Sequence, residues 1–200
     1  MPVDAPLYPV GLIVAGRRVL VVGGGKVAAD KVRNLVACGA DVHVVAPRVD
    51  DAITAIDGVT VEQRAYRPGE AAGDGYRLVI AATDDPAVNR QVHDDADAAG
   101  VWVNAADDPA NCTFTLPAVL RRGSVTVSVA TGGASPALAA WLRDRLAGSE
   151  VGPEYEVLAD LLAEARAAGP RGDWRNILDS GILDDIRAGR IAEARERLQL

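Results

Sequence analysis

The sequence predicts an α/β fold, a doubly wound parallel sheet followed by a small extended segment and a helical C-terminal domain. Three observations carry this reading. Short β-branched apolar runs alternate with helix-favouring segments through the first half of the chain, a glycine turn joins the first of these runs directly to its helix, and helical periodicity alone remains after Pro153.

The first of these elements is the most informative. Val19-Leu-Val-Val22 passes into Gly23-Gly-Gly25 and then into the Ala-rich stretch that begins Lys26-Val-Ala28. A strand, a glycine turn and a helix in that order open the βαβ unit that binds dinucleotides. Gly23 permits the tight turn, Gly25 lets the backbone approach a pyrophosphate, and Ala28, in the slot of a third glycine, keeps the helix close to the sheet. Free N–H groups and the positive dipole end at the helix start then meet the phosphates. Gly23, Gly24, Gly25, Lys26 and Val27 are therefore candidate cofactor ligands, and Gly23→Val is expected to lower binding sharply while the fold survives.

The remaining elements follow in order. The first helix ends at Cys38-Gly39-Ala40, Asp41 to Ala46 is a second strand, and Val59 to Arg64 a third. Tyr76 to Thr83 is a fourth strand. Asp85 caps a helix that starts at Pro86 and runs to Ala99, and Val101 to Asn104 is the fifth strand. This β-α-β-β-α-β succession is Rossmann-type. Thr113 to Leu120 and Ser124 to Thr131 are then two extended segments flanking a solvated turn, Arg121-Arg122-Gly123, and Ser135 caps a helix over Ala137 to Ala147. In the tail, Tyr155, Leu158, Leu161, Leu162 and Ala165 share one helical face. Boundaries near Asn111 and Gly152 give three parts, 1–111, 112–151 and 152–200.

Composition narrows the function. With 21 basic against 28 acidic residues the net charge is −7, which opposes nucleic-acid and anionic-membrane partners. The brief apolar run Leu12 to Ala15 fits neither a signal peptide nor a membrane span, so a cytoplasmic location is expected. Cys38 and Cys112 lack metal-site spacing, and no metal site is expected. Lysine occurs only at Lys26 and Lys31, and no tyrosine is followed four positions later by lysine, which excludes the Tyr-x-x-x-Lys chemistry of short-chain reductases. His43 falls within a strand as a packed residue and His93 in mid-helix as a solvated one, so neither serves as a catalytic base beside a cofactor.

Ligands of open parallel sheets bind beyond the carboxyl ends of the strands. Four carboxylates gather there, Asp84 and Asp85 after the fourth strand and Asp107 and Asp108 after the fifth. Asp85 and Asp108 precede prolines and are explained as caps or turn initiators. Asp107 is placed to take a proton from substrate as hydride departs, the alternative being a loop hydrogen bond. Thr83 and Asn104 are candidates for holding cofactor hydroxyl or amide groups. The small-residue loop Thr131 to Pro136, leading into a helix, is either an anion site or a plain hinge.

Val21-Val-Gly-Gly-Gly-Lys-Val-Ala28, Ile80-Ala-Ala-Thr-Asp-Asp-Pro86 with Asn89, Val103-Asn-Ala-Ala-Asp-Asp-Pro109 and Thr131-Gly-Gly-Ala-Ser-Pro136 resemble, in order and spacing, the motifs of precorrin-2 dehydrogenases, the N-terminal module of siroheme synthases. The resemblance runs from about Tyr8 to Gly148 and implies oxidation of precorrin-2 to sirohydrochlorin with NAD, and in some relatives insertion of ferrous iron as a lyase activity. It further implies a homodimer held by the 112–151 segment, with Asp107 as the important aspartate. Thr131, Gly132, Gly133 and Ser135 become the substrate loop, Thr131 standing where the family has serine. Ala46, Pro47, Thr83, Asp84 and Asn104 complete the expected cofactor site. Ala46-Pro47-Arg48 occupies the place of an acidic ribose ligand, so residue chemistry alone leaves NAD and NADP open, and Arg48 suits a 2′-phosphate. Two other readings compete: a dinucleotide-sensing regulatory module without catalysis, and an oxidoreductase for small carbonyl compounds.

Overall fold

The computed structural model describes residues 6–106, 108–169 and 174–200. The chain divides into two compact units, one comprising the residues up to Leu116 with Gly132–Ala134, the other Pro117–Thr131 with Ser135–Leu200.

The first unit is a parallel sheet of β1 (Arg18–Val22), β2 (Asp41–Val45), β3 (Val59–Glu62), β4 (Leu78–Ala81) and β5 (Trp102–Ala105), in the order β3-β2-β1-β4-β5. That order reverses beside β1, which puts the switch point between β1 and β4. Both faces of the sheet are covered, so its central strands are apolar throughout rather than alternating. Val19, Val21, Val42, Val44 and Ile80 face Ala28, Ala29 and Val32 of α1 (Lys26–Ala37). Leu20, Val22, Val79 and Val103 face Val92 and Ala96 of α3 (Pro86–Ala98). Asp85 caps α3 as expected, its carboxylate accepting the Ala87 N–H at 2.8 Å. His43 is a packed strand residue, its Nδ1 2.5 Å from the Tyr76 hydroxyl and its Nε2 3.0 Å from Glu62.

Four expectations are corrected, the last of them in the hairpin described below. A short helix, α2 (Asp51–Thr54), capped by the Asp50 carboxylate on the Ala52 N–H, and a single 3-10 turn at Glu70–Ala72 lie among β2, β3 and β4, where the sequence suggested only connections. His93 is half-buried and paired with Asp94 rather than solvated. The third correction concerns the segment after β5. Thr113 to Leu116 does not join the hairpin: Thr113 exchanges hydrogen bonds with Val103, its N–H donating at 2.8 Å, and Phe114 packs on the sheet core, so this stretch covers the β5 edge.

The hairpin of the second unit is β6 (Ala118–Arg122) paired antiparallel with β7 (Val125–Val129). Arg121 and Arg122 thus lie in a strand, and the turn is the two-residue link Gly123-Ser124, with Gly123 at φ +53. Glycine at the first central position of a two-residue hairpin loop supplies the positive φ such turns need. The strand starts only after Pro117, which has no N–H to give a ladder. After the hairpin come α4 (Pro136–Ser149), capped by Ser135, α5 (Glu154–Ala167), α6 (Trp174–Leu178), α7 (Ile182–Arg187) and α8 (Ile191–Arg197). Leu158, Leu161 and Ala165 of α5, Ile182 and Ile186 of α7, and Ala194 and Leu198 at α8 form one core, against which Trp174 and Ile177 of α6 pack, and buried Asp185 is held by Arg190 and Arg197, each at 2.6 Å. Among the described residues no helix is long and apolar enough to cross a membrane.

Candidate cofactor site

The three glycines after β1 have different reasons to be glycine. Gly23 sits at φ +129, and a Cβ there would lie 2.2 Å from the Ala82 carbonyl oxygen. At Gly24 a Cβ would lie 2.0 Å from the Arg48 carbonyl oxygen, and the Gly24 carbonyl accepts the Asp50 N–H at 2.8 Å. These two residues are fixed by the packing of the turn against its neighbours. Gly25 is at φ −88, and a Cβ there would meet no protein atom within 4 Å. Its bareness serves nothing inside the protein.

Gly25 is also the N-cap of α1, with no side-chain cap and no acidic residue in the first turn. The first N–H groups of a helix have no intrahelical acceptor, so this end carries donors and a positive dipole end. It opens on a cleft of about 940 Å³ lined by residues 23–27, 46–50 and 82–84 and by Ala106. Size, bare backbone and uncapped helix start fit the pyrophosphate of a dinucleotide. A second cavity, of about 570 Å³, lies at the opposite end of the strands beside Leu12, Arg17, Arg77 and Trp102.

Of the residues singled out from the sequence, Gly23, Gly24, Gly25, Lys26, Val27, Ala46, Pro47, Thr83 and Asp84 all line this cleft. Thr83 contributes through its backbone position, because its hydroxyl is engaged within the loop: it donates to Asn89 Oδ1 at 2.8 Å and accepts the Asp85 N–H at 3.2 Å. Asn104 is not on the cleft wall. It is nearly buried, and its amide donates to the Phe114 carbonyl at 3.0 Å and to Cys112 Sγ at 3.4 Å. Asp107 lies outside the described residues, between Ala106 on the cleft wall and Asp108, whose carboxylate accepts the Asn111 amide at 2.5 Å. Asp84 is exposed at the rim.

Two further residues shape the site. Asn89, buried in α3, holds the Thr83 loop through its Oδ1 and Nδ2. The signal for it was a polar residue on the same helical face as Val92 and Ala96. Cys112 holds the loop after β5: its sulfur accepts the Ala105 N–H at 3.3 Å and lies 3.3 Å from the carbonyl oxygens of Ala105 and Asp108. Burial pushes its thiol up, which keeps it a neutral latch rather than a nucleophile.

In the second glycine loop, Thr131 Oγ1 accepts the Ser135 N–H at 3.1 Å and donates to the Ser135 carbonyl at 3.0 Å. Either threonine or serine supplies that hydroxyl. Ser135 Oγ accepts the Leu138 N–H at 3.1 Å, and Gly132 and Gly133 stand at φ +60 and +78. Among the described residues no group of three or more His, Cys, Asp or Glu side chains is arranged to hold a metal ion.

Comparison with known proteins agrees with this geometry. The NAD(P)-binding family model matches residues 10–118, and the model of the central region of sirohaem biosynthesis proteins matches residues 122–149. Siroheme synthase of Pseudomonas entomophila is 41% identical over 196 residues, 92% of this chain and 42% of that protein. Siroheme synthase of Gluconacetobacter diazotrophicus is 40% identical over 213 residues, 98% of this chain and 44% of that protein. The chain thus spans about two fifths of the length of these curated relatives. The solved structure of SirC, a precorrin-2 dehydrogenase, superposes with a TM-score of 0.75 at 28% identity, covering 96% of this chain and 98% of that one.

Proposed function

Because this chain belongs to the NAD(P)-binding family, with the central region of sirohaem biosynthesis proteins following, we propose that it oxidises precorrin-2 to sirohydrochlorin with NAD as the acceptor. The observation that carries the reading is a glycine-lined cleft in a chain whose likeness to SirC extends over 96% of its length. When bound, the nicotinamide supplies the acceptor for a hydride. The protein's own part is to bind, orient and move a proton. Gly25 and the first turn of α1 receive the pyrophosphate, Ala46 and Pro47 flank the adenosine end, and the Asn89-held loop at Thr83 and Asp84 borders the reacting end. Asp107 takes the substrate proton that must leave as hydride is lost. The backbone N–H groups of Gly132 and Gly133, in the turn closed by Thr131 and Ser135, receive a substrate carboxylate.

A cytoplasmic homodimer belongs to the same reading. The β6–β7 ladder has only two strands, and Leu138 and Trp141 expose apolar surface on α4, so pairing with a second copy would cover both. Light scattering at micromolar concentration tests this, a monomeric mass being the contrary result.

Anaerobic incubation of the purified protein with precorrin-2 and NAD tests the activity. Sirohydrochlorin and NADH are expected to appear one for one. Tight NADH binding without turnover would instead favour a dinucleotide-sensing module. Ferrous iron is a substrate in this scheme, and adding it to the same assay tests whether sirohydrochlorin proceeds to siroheme.

A further inference from the structure

We propose that Arg48 forms a subsite for a phosphate on the 2′-position of the adenosine ribose, so that this cleft takes NADP as well as NAD; the inference rests on the cofactor reading above. In sheets of this order the adenosine ribose lies beyond the end of the second strand, where a carboxylate bonds the 2′-hydroxyl and repels a 2′-phosphate. No carboxylate directly follows β2 here. β2 ends at Val45, and Ala46 and Pro47, which follow it on the cleft wall, carry no polar side-chain atom. Two nearby acids have partners within the protein, although Asp50 itself lines the cleft. Asp50 caps α2, and Glu62 at the end of the adjacent β3 accepts from Arg64 Nε at 2.6 Å and lies 3.0 Å from His43 Nε2.

Arg48 itself is exposed on the cleft wall, and no described residue forms an ion pair with it. Its backbone is anchored on the phosphate-binding turn by the Gly24 packing and by the Asp50 N–H to Gly24 carbonyl bond. The backbone that carries this guanidinium is therefore held in place after β2, and a guanidinium fork matches two phosphate oxygens. Lys26, also exposed on the cleft wall, adds a second positive charge in a chain whose net charge is −7.

Calorimetry of the full chain with NADH, NADPH, 5′-AMP and 2′,5′-ADP tests the subsite without turnover. The expected result is NADPH binding no more than about tenfold weaker than NADH, with 2′,5′-ADP tighter than 5′-AMP. Arg48→Ala is expected to raise the ratio of the NADPH to NADH dissociation constants by about tenfold or more, and Arg48→Lys to raise it less. NADH binding with NADPH weaker by more than about tenfold, or an unchanged ratio in Arg48→Ala, overturns the proposal and leaves the cofactor reading intact. If neither dinucleotide binds, the cofactor reading fails and the subsite with it.

Discussion

The side-chain amide of Asn89 grips Thr83 from both sides. Its Oδ1 accepts the Thr83 N–H at 3.2 Å and the hydroxyl at 2.8 Å, while its Nδ2 donates to the Thr83 carbonyl at 3.1 Å. A helix thereby fixes the loop after β4 that borders the cleft. Asn89→Leu would leave the Thr83 backbone groups without this partner, an expected destabilisation of about 2 kcal/mol. Dinucleotide affinity should fall with it. Urea denaturation and calorimetry on the same variant check the two effects, and unchanged affinity would show that the loop holds its place without Asn89.

The glycine turn gives a contrast within three residues. Gly25→Ala places a methyl in open space, so stability should change by less than about 1 kcal/mol while the pyrophosphate loses its close approach to the backbone. Gly23→Ala drives a Cβ toward the Ala82 carbonyl at an unfavourable φ and should lower stability by several times as much. Gly23→Val, which the sequence alone suggested as a fold-neutral probe, is therefore the wrong test. Thermal melts with and without NADH separate the two positions.

Asp107→Asn should keep shape and NADH affinity but lower turnover on the order of a hundredfold or more, the usual range for loss of a general base. Single-turnover assays with precorrin-2 measure it. Turnover at the parental rate would remove the proton-transfer role.

A pH effect follows from Asp95. Burial alone would raise this carboxyl, but the Gly69 N–H at 2.6 Å, the Tyr66 hydroxyl at 2.7 Å and the Gln91 amide at 2.8 Å outweigh it and hold the group below the usual range. A carboxylate depressed in the folded state stabilises fully above its unfolded pKa of about 3.9 and loses that contribution as pH falls through the lower folded value. Asp95→Asn should therefore destabilise at neutral pH by about 1–3 kcal/mol and flatten the decline below about pH 4. Denaturation curves at a series of pH values check both, and parallel acid limbs in the two proteins would rule out this origin.

Much of the first unit was readable because its signals are local. The apolar runs of β1, β2 and β4 require burial on both faces, Gly23 announces a positive φ, and Asp85 precedes a proline as a cap, as Ser135 does in the second unit. The hairpin misled because Arg121 and Arg122 look like turn residues, whereas the turn is Gly123-Ser124 and Pro117 delays the start of the strand. Asn89 and Cys112 were not read as site-shaping because their partners are mainly backbone groups of the adjoining loops, four to seven residues away, which no hydrophobic periodicity reports. Thr83 and Asn104 are polar residues at the expected sheet edge, yet their side chains satisfy loop atoms instead of facing the cleft.

The double-sided apolar strands carry a folding hazard. Where only one face of a sheet is buried, a one-residue slip exposes the core set and corrects itself; here a slip of β1 would merely exchange valines for leucine between two equally dry layers. Alignment has to be proofread elsewhere. The slot against Ala82 does so in one direction, because a slip that brings Val22 into the place of Gly23 drives its side chain into the carbonyl. The His43 to Tyr76 bond checks a second strand in the same way. The turn offered to the cofactor is thus also the stop against which the sheet is set, so sequence drift at the binding loop is restrained by foldability even in a protein that no longer needs the ligand.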